Sequence, residues 1–214
     1  MKNFLRDNGL SLVLAAIFLL LLAGQAFTGW HVYNEEELEH GSNALSLRDY
    51  LGTGHFMESV FENWESEFLQ MAAYVVLTAF LFQKGSAESN DPEGEESETQ
   101  LSTHTPRPLL KGGWKLKLYE HSLSLALLGL FAVSFIGHLL GGARLHNQEN
   151  LQHGKASISV GQYLGSSQFW FESFQNWQSE FLAVLAIVVL SIWLREKNSA
   201  ESKEMTAPHS STGK

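Results

Sequence analysis

The sequence predicts an all-α membrane protein with four transmembrane helices, arranged as two parallel two-helix repeats with partly helical outward loops. Two observations predict this fold: an internal repeat with a shift of 113 residues, and uncharged apolar segments that recur within it. The repeat outranks local signals because both copies must build the same structural unit. Its clearest match joins two copies of one signature, Asn63-Trp64-x-Ser66-Glu67-Phe68 and Asn176-Trp177-x-Ser179-Glu180-Phe181.

The first helix of each repeat is long enough to cross a bilayer. Leu10–Trp30 and Leu123–Ala143 each contain 21 residues without a formal charge, and a helix of about 20 residues spans the hydrocarbon core. The basic N-terminus, the apolar run and Gly24-Gln25-Ala26 also resemble a cleavable secretory signal. The matching third segment is internal and has no such role, so we expect the first segment to be retained.

The second helix of each repeat has a shorter apolar part. Phe68–Phe82 and Phe181–Leu194 are uncharged over 15 and 14 residues, a length that also suits a re-entrant segment. We predict that they span the membrane because each extends backwards through the aromatic Asn-Trp-x-Ser-Glu stretch. The predicted spans are therefore about 10–30, 63–82, 123–143 and 175–194.

These spans divide the chain into four parts. The first repeat covers residues 1–84 and the second covers 117–197. Residues 85–116 are acidic and contain proline, which is typical of a disordered linker. Residues 198–214 form a polar tail that we also expect to be disordered. The chain contains no cysteine, so no disulfide is expected in the loops.

Charge placement predicts the orientation. Eleven basic residues lie before the first and third spans or after the second and fourth, whereas the loops inside the repeats contain three, Arg48, Arg144 and Lys155. Basic residues favour the cytoplasmic side, so we expect both termini and the linker to be cytoplasmic and the repeat loops to face outward. The predicted location is the bacterial inner membrane, within the lipid bilayer. The net charge of −9 and the lack of a basic cluster argue against a nucleic-acid partner.

Short signals predict local structure within the repeats. Ser46 and Ser159 are suited to begin short loop helices as N-caps, and glycines that follow them, Gly52 and Gly165, are suited to end these helices. Small residues one helical turn apart in the first and third spans favour close helix packing, in a compact bundle or a homo-oligomer. These small residues are Gly24, Thr28, Gly137 and Gly141.

Four polar residues are predicted to lie inside the membrane near its outer face. Glu67 and Glu180 fall about one helical turn within the predicted boundary, and Gln25 and His138 reach a similar depth. We expect Gln25 to neighbour Glu67 and His138 to neighbour Glu180, or the crossed pairs. A carboxyl group in lipid is costly, so each needs a polar partner, a proton or water. The functional interpretation is a proton or cation relay in which His138 titrates near neutral pH.

The structural alternative is an interfacial carboxylate that favours a helix N-terminus. In that case, polar side chains of the signature satisfy nearby backbone groups, and its tryptophans anchor the helix in the aromatic belt of the membrane. This repeated interface motif consists of Asn63, Trp64, Ser66, Asn176, Trp177 and Ser179.

A second repeated pair lies at the edge of the outward loops. Glu36 with His40, and Glu149 with His153, are four residues apart and would share one face of a helix. The pairs are weak candidates for a metal site, because zinc usually requires three or four converging ligands. The glycine after each histidine instead favours a helix C-cap. Other histidines near these pairs in the sequence are His31, His55 and His146.

The repeated signature, with its His-Gly and Tyr-Leu-Gly markers, resembles a family of small uncharacterised bacterial integral membrane proteins. The resemblance covers about residues 1–200. It implies a membrane location and the paired topology, and it supplies neither an activity nor a catalytic residue.

The sequence contains none of the common templates for catalysis. It lacks a Gly-rich phosphate loop, a His-Glu-x-x-His motif, a Gly-x-Ser-x-Gly elbow and a cysteine nucleophile. We therefore expect no enzymatic activity and no cofactor, and a role as an envelope-associated structural or partner-binding component. The alternative is a small ion- or proton-coupled transporter or channel that uses the four intramembrane polar residues.

Overall fold

The computed structural model describes residues 2–92 and 106–213, and all regular secondary structure in these residues is α-helical. The predicted all-α class is therefore confirmed for them. In chain order, the helices of the described residues are α1 (Lys2–Asp7), α2 (Gly9–Glu39), α3 (Leu47–Tyr50), α4 (Gly54–Phe80), α5 (Arg107–Lys111), α6 (Gly113–Glu120), α7 (Ser122–Gln152), α8 (Val160–Leu164) and α9 (Ser167–Leu190).

Helices α2 and α7 are the two helices of the described residues that are long and apolar enough to cross a membrane. Each contains 31 residues and continues beyond the apolar span predicted for it. The continuation contains four glutamates in α2, and two glutamines and two leucines in α7, and these residue types favour helix. The end of an apolar segment is therefore not the end of the helix in either case.

A histidine followed by a glycine ends both long helices. His40 is the C-cap of α2, and Gly41 has a positive φ of 77°. After α7, His153 precedes Gly154, which has a positive φ of 67°. In each case the glycine N–H donates to the carbonyl oxygen three residues earlier, at 3.0 and 3.1 Å. Glycine adopts this backbone conformation without steric cost, so the predicted C-caps are confirmed.

Helices α4 and α9 do not meet the same criterion, so two of the four helices predicted to span the membrane are long and apolar enough to do so, not all four. Both begin before the predicted spans, and they end earlier, at Phe80 and Leu190. The polar residues of the repeated signature lie in the middle of each helix, so only the part after Phe68 or Phe181 is largely apolar. Both helices contain enough residues to cross a membrane, but their apolar part is too short to do so unaided.

Helices α3 and α8 confirm the predicted loop helices. The Ser46 hydroxyl oxygen accepts a hydrogen bond from the backbone N–H of Asp49 at 3.2 Å. The Ser159 hydroxyl oxygen accepts one from Gln162, also at 3.2 Å. The Gln162 side chain accepts a bond from the Ser159 N–H at 2.8 Å, which completes a capping box.

The chain divides into two compact units. The first consists of Met1–Phe61 and Gly137–Phe169, and the second of Glu62–Ile136 and Trp170–Lys214. Helices α4, α7 and α9 each contribute residues to both units.

In the first unit, the tyrosines of the loop helices are buried against glycines. Tyr50 and Tyr163 are each 1 % exposed. A Cβ atom at Gly142 would lie 2.5 Å from the Tyr163 hydroxyl oxygen, and one at Gly29 would clash with the Tyr50 hydroxyl in the same way. The absence of a side chain at both glycines therefore lets the loop helices pack onto α2 and α7.

Asparagine side chains fix both loops of the first unit. Asn34 donates to the carbonyl oxygen of Leu45 at 3.0 Å and accepts from its N–H at 2.8 Å. Asn147 forms the same two bonds with Ile158, at 2.9 and 2.7 Å. A carboxamide has a donor and an acceptor, so it satisfies both backbone groups of one residue. Aspartate has no donor for the carbonyl, and leucine has neither a donor nor an acceptor.

Glycines also bring α7 against the first turns of α4, within the first unit. A Cβ atom at Gly141 would lie 2.6 Å from the backbone nitrogen of Glu58, and one at Gly54 would lie 2.6 Å from that of Leu145. The small residues predicted in α7 thus serve close packing. In α2, by contrast, a Cβ atom at Gly24 would have no neighbour within 4 Å.

In the second unit, the segment after α4 packs with the C-terminal tail. Gly213 donates its N–H to the carbonyl oxygen of Ser86 at 2.9 Å. Lys203 is 3 % exposed, and its ammonium group donates to backbone carbonyls that include Gly85 at 2.5 Å. Both segments have defined contacts, although the sequence predicts disorder for them. Residues 93–105 of the predicted linker lie outside the described residues.

Replacing Gly141 with alanine is expected to lower the free energy of unfolding by about 1–3 kcal/mol, because the new Cβ meets backbone atoms of Glu58. Gly129 in the same helix is the matched control, since its Cβ position has no neighbour within 4 Å. Gly129→Ala should be neutral or stabilise by up to about 1 kcal/mol through helix propensity. Thermal unfolding of the two purified variants measures the change in stability that each substitution causes. Equal changes for Gly141→Ala and Gly129→Ala would contradict the close packing at Gly141.

Candidate functional site

The Glu and His pairs at the ends of α2 and α7 line one cavity of about 320 Å³ in the first unit. We call it the Glu–His cavity. It brings together two pairs that lie far apart in the sequence. Its lining residues are Tyr33, Glu36, Glu37, His40, His55, Leu145, Gln148, Glu149, Gln152 and His153.

Negative charge is concentrated in this cavity. Three glutamates line it, and no lysine or arginine does. Glu37 accepts hydrogen bonds from the amides of Gln148 and Gln152, at 2.8 and 2.9 Å. Glu36 and Glu149 form no ion pair with any residue in the described part of the chain. These two carboxylates therefore line the cavity without a lysine or arginine to compensate their charge.

The histidines of the two pairs have a defined proton position. Nδ1 of His40 lies 2.8 Å from the backbone oxygen of Glu36, and Nδ1 of His153 lies 2.8 Å from that of Glu149. A carbonyl oxygen only accepts hydrogen bonds, so Nδ1 must carry a proton in both rings. In the neutral form, each ring then has its lone pair on Nε2.

The glutamines that line the cavity connect α7 to α2. Gln148 donates to the Tyr33 hydroxyl at 2.5 Å as well as to Glu37. The positions that match Gln148 and Gln152 in the first copy are both glutamate, and this difference in charge between the copies is the signal that marks the two glutamines in the sequence. These contacts belong to one copy and become visible once the helices are packed.

His55, at the start of α4, is the third histidine of the cavity. Its Nδ1 lies 3.0 Å from the Tyr50 hydroxyl oxygen. Burial lowers the pKa of His55 below its usual value of 6.5, and the charges of Glu36 and Glu149 offset this in part. The sequence indicates His55 only as a nearby nitrogen, because it gives no sign that α4 begins at Gly54.

The cavity does not present a preformed metal centre. Among the described residues, no three of the carboxylate and imidazole groups that line it bring their ligand atoms within 4.8 Å of one another. Zinc ligands lie about 2.0–2.3 Å from the ion and must therefore converge closely. The weak metal candidates, Glu36, His40, Glu149 and His153, share a cavity without sharing such a geometry.

Two of the four predicted intramembrane polar residues lie in the first unit. The Gln25 amide donates to the carbonyl oxygen of Ser59 at 3.2 Å. His138 is fully buried and stacks on Phe169 with 4.8 Å between ring centroids. A carboxylate oxygen of Glu58, which the sequence did not indicate, lies within 4.8 Å of a His138 ring nitrogen. Both predicted residues thus have close neighbours within their own unit.

The other two, Glu67 and Glu180, lie in the second unit, where their charges interact. Glu67 is exposed and Glu180 is partly buried. The structure therefore brings the two matching carboxylates near each other. Their predicted pairing with Gln25 and His138 stays a prediction.

The repeated interface motif forms the same local bond in α4 and α9. The Ser66 hydroxyl donates to the carbonyl oxygen of Asn63, and that of Ser179 to Asn176, both at 2.8 Å. Serine therefore bonds to a backbone carbonyl of its own helix in both copies, in the middle of α4 and α9 and not at a helix N-terminus.

A buried glutamate beside this motif was missed by sequence reasoning. Glu65 is fully buried and accepts a hydrogen bond from the Trp177 indole N–H at 3.0 Å. One turn earlier, Glu62 accepts from the Asn176 amide at 2.5 Å. Glutamine occupies both matching positions in the second copy. That difference in charge between the copies is the signal that marks these two glutamates.

Comparison with known proteins identifies the family. A family model described as a domain of unknown function (DUF6766) matches residues 1–214. The chain belongs to the DUF6766 family. No curated protein and no solved structure matches it. Membership of DUF6766 brings no activity with it, so the function is argued from the geometry of the site.

The Glu–His cavity of this DUF6766 protein presents carboxylate, imidazole and carboxamide groups. Hydrogen bonds hold Glu37, His40 and His153 in place among them.

Replacing His55 with glutamine, the residue at the matching position Gln168, should reduce the loss of stability on acidification. Because the folded state lowers the pKa of His55, the unfolded chain takes up this proton first as the pH falls through about 6.5. His55 therefore contributes a destabilisation that is absent at high pH and grows as the pH falls towards its folded pKa. Thermal unfolding of the natural chain and of His55→Gln between about pH 7.5 and pH 5.5 measures how the stability of each changes with pH. The prediction is contradicted if both proteins lose the same stability over this range.

Proposed function

We propose that this DUF6766 protein is a four-span protein of the bacterial inner membrane, made of a duplicated two-helix unit, with both termini in the cytoplasm. Helix α2 supports a membrane location because its apolar side chains are exposed, with Leu20 at 73 % and Leu21 at 68 %. Soluble proteins rarely expose a continuous apolar surface of this size, whereas lipid tails cover it without cost.

The direction of α2 and α7 supports the proposal that α4 and α9 also cross the membrane. Basic residues precede both helices, Arg6 before α2 and Lys117 before α7, so the positive-inside rule gives the two helices the same direction. Two helices that leave the cytoplasm in succession require the chain to return between them. Helix α4 is the long described helix in that interval, and α9, which Arg195 follows, is its counterpart after α7.

On this topology the Glu–His cavity lies on the outer side of the membrane. We propose that the protein is a non-enzymatic component of the cell envelope that binds a partner at this cavity. The observation that carries the proposal is that the Glu and His pairs of both repeats meet around one cavity of about 320 Å³. Concave sites with a few fixed polar groups are the usual places for recognition.

The rival proposal, a proton- or cation-coupled transporter, has less support from the contacts. The observation that supports it best is the full burial of the Glu65 carboxylate. This carboxylate already accepts a hydrogen bond from the indole N–H of Trp177. Gln25 is likewise bound to the backbone of Ser59. Contacts of this kind suit structural roles as well as they suit a relay.

Single-cysteine labelling tests the topology, and the chain contains no native cysteine to interfere. Cysteines at the exposed positions Asn43 and Ser157 should react with a membrane-impermeant maleimide in intact spheroplasts. Cysteines at Asn90 and Ser210, which are also exposed, should react only after the membrane is permeabilised. Labelling of all four positions from the same side would show that α4 and α9 do not cross.

Site-specific photocrosslinking in native membranes tests partner binding. A photoreactive amino acid at Gln152, which is exposed and lines the cavity, should give a discrete adduct that mass spectrometry identifies. The matched control places the same group at Asn43, which is exposed outside the cavity lining. Adducts of equal yield at both positions, or none at Gln152, would contradict a partner at this cavity.

A further inference from the structure

We infer that the Glu–His cavity binds an organic cation through an ammonium or guanidinium group. The inference deepens the proposed function, on which it rests, by naming the chemistry that the cavity recognises. Three properties of the lining lead to it: uncompensated charge, a one-sided set of hydrogen-bond acceptors, and size.

The first property is charge. Glu36 and Glu149 line the cavity, come from different repeats, and form no ion pair within the part of the chain that is described. No lysine or arginine lines the cavity. Two carboxylates in a concave site create a field that attracts cations and repels anions.

The second property is the direction of hydrogen bonding. Carboxylates only accept. Nδ1 of His40 and of His153 donates to a backbone carbonyl, so the ring atom left to face a ligand is Nε2, which is an acceptor in the neutral form of the ring. Gln148 already uses its amide group on Tyr33 and Glu37. The groups that remain are mostly acceptors. An ammonium group offers three donors and a guanidinium group five, and neither accepts.

The third property is size. A volume of about 320 Å³ holds roughly ten groups of the size of water, which is far more than one metal ion requires. The imidazole and carboxylate groups of this lining do not converge on a common point within 4.8 Å. The rings of Tyr33 and His55 lie 5.5 Å apart and add aromatic surface, which also attracts organic cations. A charged group on a short alkyl chain fits these dimensions.

Such a group has two possible sources. It can belong to a free small amine, or to the side chain of a lysine or arginine on a partner protein. The recognition chemistry is the same in both cases, because the cavity would contact the charged end and a few methylene groups. The probes must therefore separate a free diamine from a side chain within a peptide backbone.

Isothermal titration of the purified full chain in detergent tests the inference. The free amines are 1,4-diaminobutane and agmatine, and the side-chain probes are the acetylated amides of lysine and arginine. The neutral 1,4-butanediol and Zn²⁺ are the controls for charge and for metal binding. The test variant is Glu36→Gln with Glu149→Gln. Its matched control is Glu35→Gln with Glu39→Gln, which removes the same charge from exposed positions of α2 that do not line the cavity.

We expect at least one cationic probe to bind and the neutral diol not to bind. The test variant should weaken that binding by about tenfold or more, through the loss of charge-assisted hydrogen bonds. The control variant should change it by no more than about twofold. Binding of free amines alone, or of side-chain probes alone, would support the inference and identify the source.

Three results would overturn the inference. They are no binding of any cationic probe, equal weakening in both double variants, and saturable binding of Zn²⁺ without binding of amines. If the Gln152 adduct persists while every cationic probe fails, the cavity binds a partner through other chemistry, and only this inference falls. If the adduct is absent as well, the proposed function falls with it.

Discussion

The close approach of α7 to the first turns of α4 is the contact on which the first unit depends. Gly54 and Gly141 leave no space for a side chain at this contact. Because His55 directly follows Gly54, the same contact positions His55 in the Glu–His cavity. His138, three residues before Gly141 in α7, is fully buried. Helices that approach through glycine gain dispersion contacts between backbones, so one methyl group is enough to disturb the site.

Residues 113 positions apart form the same contacts where the loops pack onto α2 and α7. Their contacts in the Glu–His cavity differ. Asn34 and Asn147 form the same bonds, and the glycines behind Tyr50 and Tyr163 play the same part. The bonds of Gln148 exist in one copy only. The framework is therefore regular while the cavity is asymmetric.

Local features of the fold were predictable because they depend on residues that are close in sequence. The Ser46 cap and the His40–Gly41 helix end each involve a few neighbouring residues and one known geometry. The extents of α4 and α9 were not predictable, because a helix continues wherever its neighbours support it and the apolar pattern does not report this. Four cavity residues carried a visible signal, the repeated Glu and His pairs. The others, like the burial of Glu65 by Trp177, depend on packing between distant segments.

The asparagine bonds set the number of residues in each loop of the first unit. Asn34 bonds to a residue 11 positions later, and so does Asn147. Backbone and side chain together close a ring, like a macrocycle in which hydrogen bonds take the place of one covalent link. Because the ring has a fixed number of residues, each residue inside it keeps a fixed position. An inserted residue would shift Leu45 or Ile158 away from the asparagine and leave its backbone N–H and carbonyl without these bonds. Length, as well as composition, is thus under constraint between the helix end and the loop helix, while residues beyond the ring are free of this restriction.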